Sequence, residues 1–295
     1  MSSYPSQDGM QRPGFRIPGR LIIGVIIAVV ALVGYFAKMQ TNTVTGKKQA
    51  IPWTIPQEIA LGMNSAPQMA SEFGGESTSK EFRQRVEEVG ARIVGSLPAT
   101  AKNADGTQVY PYTYHVLADQ KTVNAFALPG GQIFITEALL RLLETDGQLA
   151  GVLGHETGHV LGRHSAAQAA KSQLMQGLVG ATAVAASGGR DGGQMAQQAS
   201  AMVANMLTLK YGRGDELQAD ELGLKFMYLA GYDPRSMIGV MKILEKASGA
   251  SGSAKPEFSS THPNPGHRIE EIEARMKEMF PPDKFPNGVP EGLKK

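Results

Sequence analysis

The sequence predicts an α+β fold, mainly helical, with one small sheet beside a central helix. Three observations carry this expectation. Apolar residues recur at helical spacing over most of the chain beyond residue 55. The clearest strand-forming stretch, residues 110–136, is short and interrupted by a Pro-Gly-Gly turn. A run apolar on every face stands near the N-terminus. At 295 residues, 42% hydrophobic and 19% charged, the chain is long enough to bury a core. Its 29 basic and 27 acidic residues leave a net charge of +2 with no long basic run, which argues against a nucleic-acid surface and a polybasic membrane patch. The absence of cysteine excludes disulfides, thiolate metal ligands, a lipidated cysteine and a cysteine nucleophile, so any metal must be held by histidine and carboxylate.

Residues 1–20 form a polar tail with Arg12, Arg16 and Arg20. The uncharged run LIIGVIIAVVALVGYFA, residues 21–37, follows. As a helix it is roughly 25 Å long, within the range of transmembrane segments. The following YFAKMQTNT offers no A-x-A cleavage site, so an uncleaved anchor in the lipid bilayer is expected rather than a signal peptide. Lys38, Lys47 and Lys48 nearly balance the three arginines, leaving a modest preference for an inside N-terminus and a translocated domain. Residues 38–55 read as a polar linker, 56–280 as the globular domain and 281–295 as a C-terminal tail.

Within that domain, PQEIALGMNSAPQMASEFGG and SKEFRQRVEEVGARIVGSL have helical spacing. YPYTYHVLAD alternates as a strand, and NAFALPGGQIFIT gives strand, turn and strand. From Glu137 to about Leu174 the pattern is helical with a break near Asp146, predicting one long helix from there to Leu174 with HETGH inside it. The Ala/Gly-rich stretch 177–193 reads as a helix end and loop, too short and interrupted for a second span. Helices over roughly 194–209, 212–230, 235–247 and 265–279 complete the chain.

HETGH, residues 155–159, carries the chemistry. On a helix, residues four apart point the same way, so His155 and His159 can share one tetrahedral metal while Glu156 stands beside the fourth position. There a carboxylate can take a proton from water attacking a carbonyl. A third ligand is needed. The metzincin pattern requires histidine at 165, where this chain has Ser165, with His164 one place early. The alternative lies in YGRGDELQADELG, where Glu216 and Asp220 share a helix face. One of them could ligate while the other accepts the far ring N–H of a histidine ligand.

With these motifs the sequence resembles the membrane-associated zinc metallopeptidases that include HtpX, BepA and the CAAX prenyl proteases, over about residues 56–280. That resemblance implies a zincin-like domain. It implies one Zn2+ per chain on His155, His159 and Glu216, the Glu of an E-x-x-x-D motif after Arg213, with Asp220 as a supporting partner. THPNPGHRI matches the family's H-P and R-I dipeptides, implying active-site roles for His262, which can occupy the zinc's open position, and Arg268. GGQIFIT matches the family's edge strand. Gly212 and Gln218 depart from the pattern, where Ser and Glu are common, and touch no implied ligand. Arg163 and His164 have no assigned role.

The implied activity is that of a membrane-anchored zinc endopeptidase with Glu156 as general base. Its substrates would be unfolded or misassembled proteins, bound as an extended strand beside residues 132–136. A bacterial inner membrane with the domain in the periplasm is the expected location, with the mitochondrial inner membrane as the alternative. The rival function is a zinc-bearing, chaperone-like assembly factor with a blocked site, against which Glu156 counts, since a purely structural site needs no base.

Overall fold

The computed structural model describes residues 18–187, 211–249, 258, 262, 265–281 and 292–294. The apolar run forms α1, Gly19–Phe36, in which Gly24 alone is buried. Residues 38–55, expected as a linker, contain an antiparallel hairpin of β1, Met39–Thr41, and β2, Lys48–Ala50. Helix α2, Ile55–Glu72, starts at a capping box in which the Thr54 hydroxyl accepts from Gln57 N–H and the Gln57 side chain accepts from Thr54 N–H. Helix α3, Lys80–Gly95, is capped by Ser79 and buries Val86, Val89 and Ile93 at the predicted spacing.

The sheet holds β3, Thr113–Leu117, β4, Ala125–Leu128, and β5, Gln132–Thr136, in the order β3-β5-β4. Strands β4 and β5 are joined through Pro129, Gly130 and Gly131, both glycines having positive φ as a tight hairpin requires. The central position of β5 corrects one expectation. It pairs in parallel with β3, from Thr113↔Gln132 to Leu117↔Thr136, and antiparallel with β4. Both of its edges are therefore used, and no further chain can add beside residues 132–136. The hairpin turn is visible in the sequence, but the parallel pairing with β3 is a long-range choice that leaves no local signal.

A short α4, Glu137–Leu140, leads to α5, Asp146–Gly162, which opens at a Thr145/Gln148 capping box. From Leu149 to Gly162 every residue of α5 is buried. It is the central helix, packed by the sheet, α3, α7 (Arg213–Leu229) and α8 (Ser236–Gly249). The expected single helix through HETGH to Leu174 is instead two. Arg163 takes a left-handed conformation, φ 55°, ending α5, and α6, His164–Ser187, sets off anew. The break has visible causes: the Arg163 guanidinium donates to Glu58 and to the Trp53 carbonyl, while Asn42 and Gln49 amides donate to the Leu161 and Gly162 carbonyls that a continuing helix would use. The second helix also runs to Ser187, through part of the stretch expected as loop, because it lies along α1. Helix α9, Pro265–Met279, has the expected bounds. The helix expected over 194–209 lies outside the described residues.

Candidate metal centre

Small residues at one helix seam assemble the centre. Where α5 crosses α7, a Cβ on Gly158 would lie 2.9 Å from the Ala219 carbonyl oxygen, and one on Gly154 would lie 3.2 Å from that of Gly223. The backbones can approach this closely only because these positions are small, and the approach brings Glu216 and Asp220 of α7 to the histidines of α5. His155 Nε2 and His159 Nε2 lie 3.0 Å apart, and each is 3.5–3.6 Å from a Glu216 carboxylate oxygen. His262 Nδ1 lies 3.4 Å from His155 Nε2 and 2.9 Å from Glu216 Oε1. All four side chains are buried, with one donor atom from each within a 4.8 Å span. Donors 2.0–2.1 Å from a tetrahedral zinc are separated by roughly 3.3–3.4 Å, so the group has the size a single ion requires.

The hydrogen bonds behind the histidines point to the same chemistry. Asp220 Oδ1 lies 2.9 Å from His155 Nδ1, and a carboxylate can only accept, so Nδ1 carries the proton. At His159 the chain is longer. Gln218 Oε1 lies 2.9 Å from His164 Nε2, and an amide oxygen also only accepts, so His164 presents a bare Nδ1 to His159 Nδ1, again at 2.9 Å. His159 then donates from Nδ1. Both Nε2 atoms are left as lone pairs facing each other at 3.0 Å, a repulsive arrangement that a cation between them would make favourable. The residues present thus fit a metal.

Electrostatics separates the two glutamates. Burial raises the Glu156 pKa above the ordinary carboxylate range, an effect only partly offset by His262 and His155, and neither carboxylate oxygen has a hydrogen-bond partner among the described residues. Burial opposes ionisation of Glu216 too, but His262, His155 and Arg268 outweigh it and lower the pKa. Asp220 is held down to about 2: burial opposes this, and the Arg268 guanidinium with His155 prevails. Arg268, itself buried, forks onto Asp220 through Nε and Nη2 and reaches Glu216 Oε2 from Nη1 at 3.0 Å. His159 is held neutral by burial and by its histidine neighbours. The His262 pKa is raised, because Glu216 and Glu156 outweigh its burial.

The structure therefore brings together His155, Glu156, His159, Glu216, Asp220, His262 and Arg268. Arg213 of the sequence motif stands outside, its exposed side chain near Glu271. Sequence reasoning left His164 unassigned and treated Gln218 as remote from the ligands. In an unbroken helix, residues five apart point in different directions, so only the turn at Arg163 lets His164 fold back on His159. Two aromatic walls were also missed. The Tyr211 ring stacks on His159 at 4.0 Å and its hydroxyl lies 2.9 Å from Ser165 Oγ, while Phe258 stacks on His262 at 4.3 Å. No local pattern marks either one.

Comparison with known proteins gives an independent result. The family model described as peptidase family M48 matches residues 82–276, well over half of the chain. The chain is 28% identical over 258 residues to the mitochondrial metalloendopeptidase OMA1 of Schizosaccharomyces pombe, covering 87% of this chain and 72% of that one. It is 27% identical over 267 residues to the beta-barrel assembly-enhancing protease of Yersinia pestis, covering 88% of this chain and 52% of the relative. Against the Bos taurus mitochondrial metalloendopeptidase OMA1 the figures are 29% over 269 residues, 86% and 49%. The chain thus spans about half the length of the latter two relatives.

Proposed function

The chain belongs to peptidase family M48, and from that premise we propose that it is a zinc-dependent endopeptidase that cleaves unfolded or misassembled proteins at a membrane. The observation that carries the reading is Glu156, a buried carboxylate without a hydrogen-bond partner among the described residues, beside three donors that could hold a metal. A structural site needs no such group.

His155, His159 and Glu216 would hold zinc, with Asp220 and the His164–Gln218 pair fixing the histidine tautomers. When bound, zinc lowers the pKa of water and polarises a peptide carbonyl. Glu156 takes the proton of the attacking water and passes it to the leaving amine, a task suited to a carboxylate whose pKa burial has raised. Arg268 keeps Asp220 ionised and oriented. A substrate strand would run along β4, the strand whose end, at Ala127 and Leu128, borders the same crevice as His159 and Val160.

His262 makes the resting state latent in this reading. It stands where a fourth ligand would, 3.7 Å from Glu156 through Nε2, and the Phe258 N–H donates to the Val123 carbonyl just ahead of β4. Phe258 and His262 thus stand beside the entry to the substrate strand and the metal position respectively. The apolar α1 would anchor the chain in the bacterial inner membrane with the domain in the periplasm; relatives whose names place them in mitochondria make the mitochondrial inner membrane the alternative.

The test is cleavage of casein by the full chain in detergent, with zinc content measured on the same samples, for wild type, Glu156→Gln and His262→Ala. The expected outcome is about one zinc per chain throughout, cleavage raised by His262→Ala, and a loss of about 10²- to 10⁴-fold in Glu156→Gln. Bound zinc with no cleavage by any of the three would favour the assembly-factor reading instead.

A further inference from the structure

Helix α6 leaves the domain at its N-terminal end and lies antiparallel to α1. A Cβ on Gly24 would sit 2.8 Å from the Ala181 carbonyl oxygen and 3.0 Å from Ala185 Cβ, and one on Gly177 would sit 2.8 Å from Ala31 Cβ. At the domain end of the pair, Lys38 Nζ donates to Gln173 Oε1 at 3.0 Å. The charges are level as well. Lys38 and Lys171 mark the domain end and Arg20 the far end, while neither helix has a charge between them: residues 21–37 and 172–187 are uncharged. The outward faces are apolar and exposed, Val30 at 65% and Val33 at 62% on α1, Met175 at 58% and Val179 at 62% on α6. The Thr182 hydroxyl on this face donates to the Val179 carbonyl within its own helix, as a hydroxyl in a medium without water must.

Depth decides what covers these faces. Gly24 is only four residues from Arg20, about 6 Å along the helix, so Ala181 and Ala185 touch α1 near its far end rather than near the domain. If α1 crosses a bilayer, the part of α6 held against it lies in the same slab. Backbone-close packing at Gly and Ala is how helices associate in lipid, where burial of apolar area gives no drive. We propose that α6, from Gly177 onward, is embedded in the lipid bilayer beside α1. The membrane contact is then a two-helix blade instead of a lone anchor. This rests on the reading of α1 as the bilayer anchor. The helix that starts at the end of the HETGH helix then enters the membrane, holding the site at a fixed height. From His159 to Gly177 the path is at most about 27 Å, bent at Arg163, which favours substrates presented at the membrane surface.

The chain has no cysteine, so single-cysteine variants report cleanly. The full chain carrying Val179→Cys or Ala186→Cys would be reconstituted in vesicles of phosphatidylcholine and phosphatidylglycerol and treated with N-ethylmaleimide. Val30→Cys serves as the anchor control and Lys225→Cys, on the exposed face of α7, as the aqueous control. A thiol in hydrocarbon does not ionise and does not react, so the two α6 variants should label about tenfold or more slower than Lys225→Cys, as Val30→Cys does, with all rates converging in SDS. A bimane attached to the Val179→Cys variant should be quenched by brominated lipid. Free labelling on α6 while Val30→Cys stays protected would overturn the proposal and leave the anchor standing. Protection without quenching would also overturn it, the cover then being protein. Free labelling of Val30→Cys would remove the anchor reading itself.

Discussion

Two carboxamide and carboxylate groups behind the histidines decide which ring nitrogen faces the centre. Gln218→Leu removes the acceptor that fixes the His164 tautomer, and His164 can then turn a proton toward the one on His159. Zinc affinity is expected to fall about 10- to 100-fold, as for other losses behind a ligand, while Gln218→Glu preserves it; competition with a chelator measures both. Asp220 supports a second prediction, in pH. Its folded pKa, about 2, lies below the unfolded value, so its contribution is present above about pH 4 and is lost as the pH falls through 2. Comparing acid unfolding of the metal-free wild type with Asp220→Asn should show about 2 kcal/mol of extra stability in the wild type near neutral pH, and the difference should close between pH 4 and 2. A constant difference across that range would refute the assignment.

At the scale of elements, the α5–α7 seam and the cap on α5 carry the site. Gly158→Ala places a methyl group 2.9 Å from a backbone oxygen, which must shift α7 because no flexible side chain is there to yield. A cost of about 1–3 kcal/mol is expected in urea unfolding, with weaker zinc binding because Glu216 and Asp220 ride on the displaced helix. Gly162 is constrained from the other side, since a Cβ there would meet the His164 ring. Gly154, Gly158 and Gly162 are thus packing requirements of α5, although each lowers helix propensity when taken alone.

Across the whole molecule, the segment after α1 is structurally part of α5. Asn42 and Gln49 satisfy the Leu161 and Gly162 carbonyls, and Lys47 pairs with Asp215 at the start of α7. In detergent, a form covering residues 51–295 should therefore be less stable than one covering 39–295 by about 3 kcal/mol in urea unfolding, as three such contacts contribute about 1 kcal/mol each. Equal stability would show that the hairpin only tethers. The sequence by itself marked the candidate site: HETGH and the acidic run of Glu216 and Asp220 are local patterns on single helices, where a spacing of four fixes a shared face. It also determined the apolar α1, the hairpin turn of β4 and β5, and the bounds of α9, because these depend on neighbours in the chain. Only the tertiary structure decided the central place of β5, the break at Arg163, the approach of His164 and Gln218 to His159, and the alignment of α6 with α1. Each of these is fixed by groups more distant in sequence or by a single left-handed residue: Glu58 and Trp53 hold Arg163, β3 pairs with β5, and Gly24 accepts Ala181. Such choices minimise the free energy of contacts made only after the chain has folded, and no local periodicity records them.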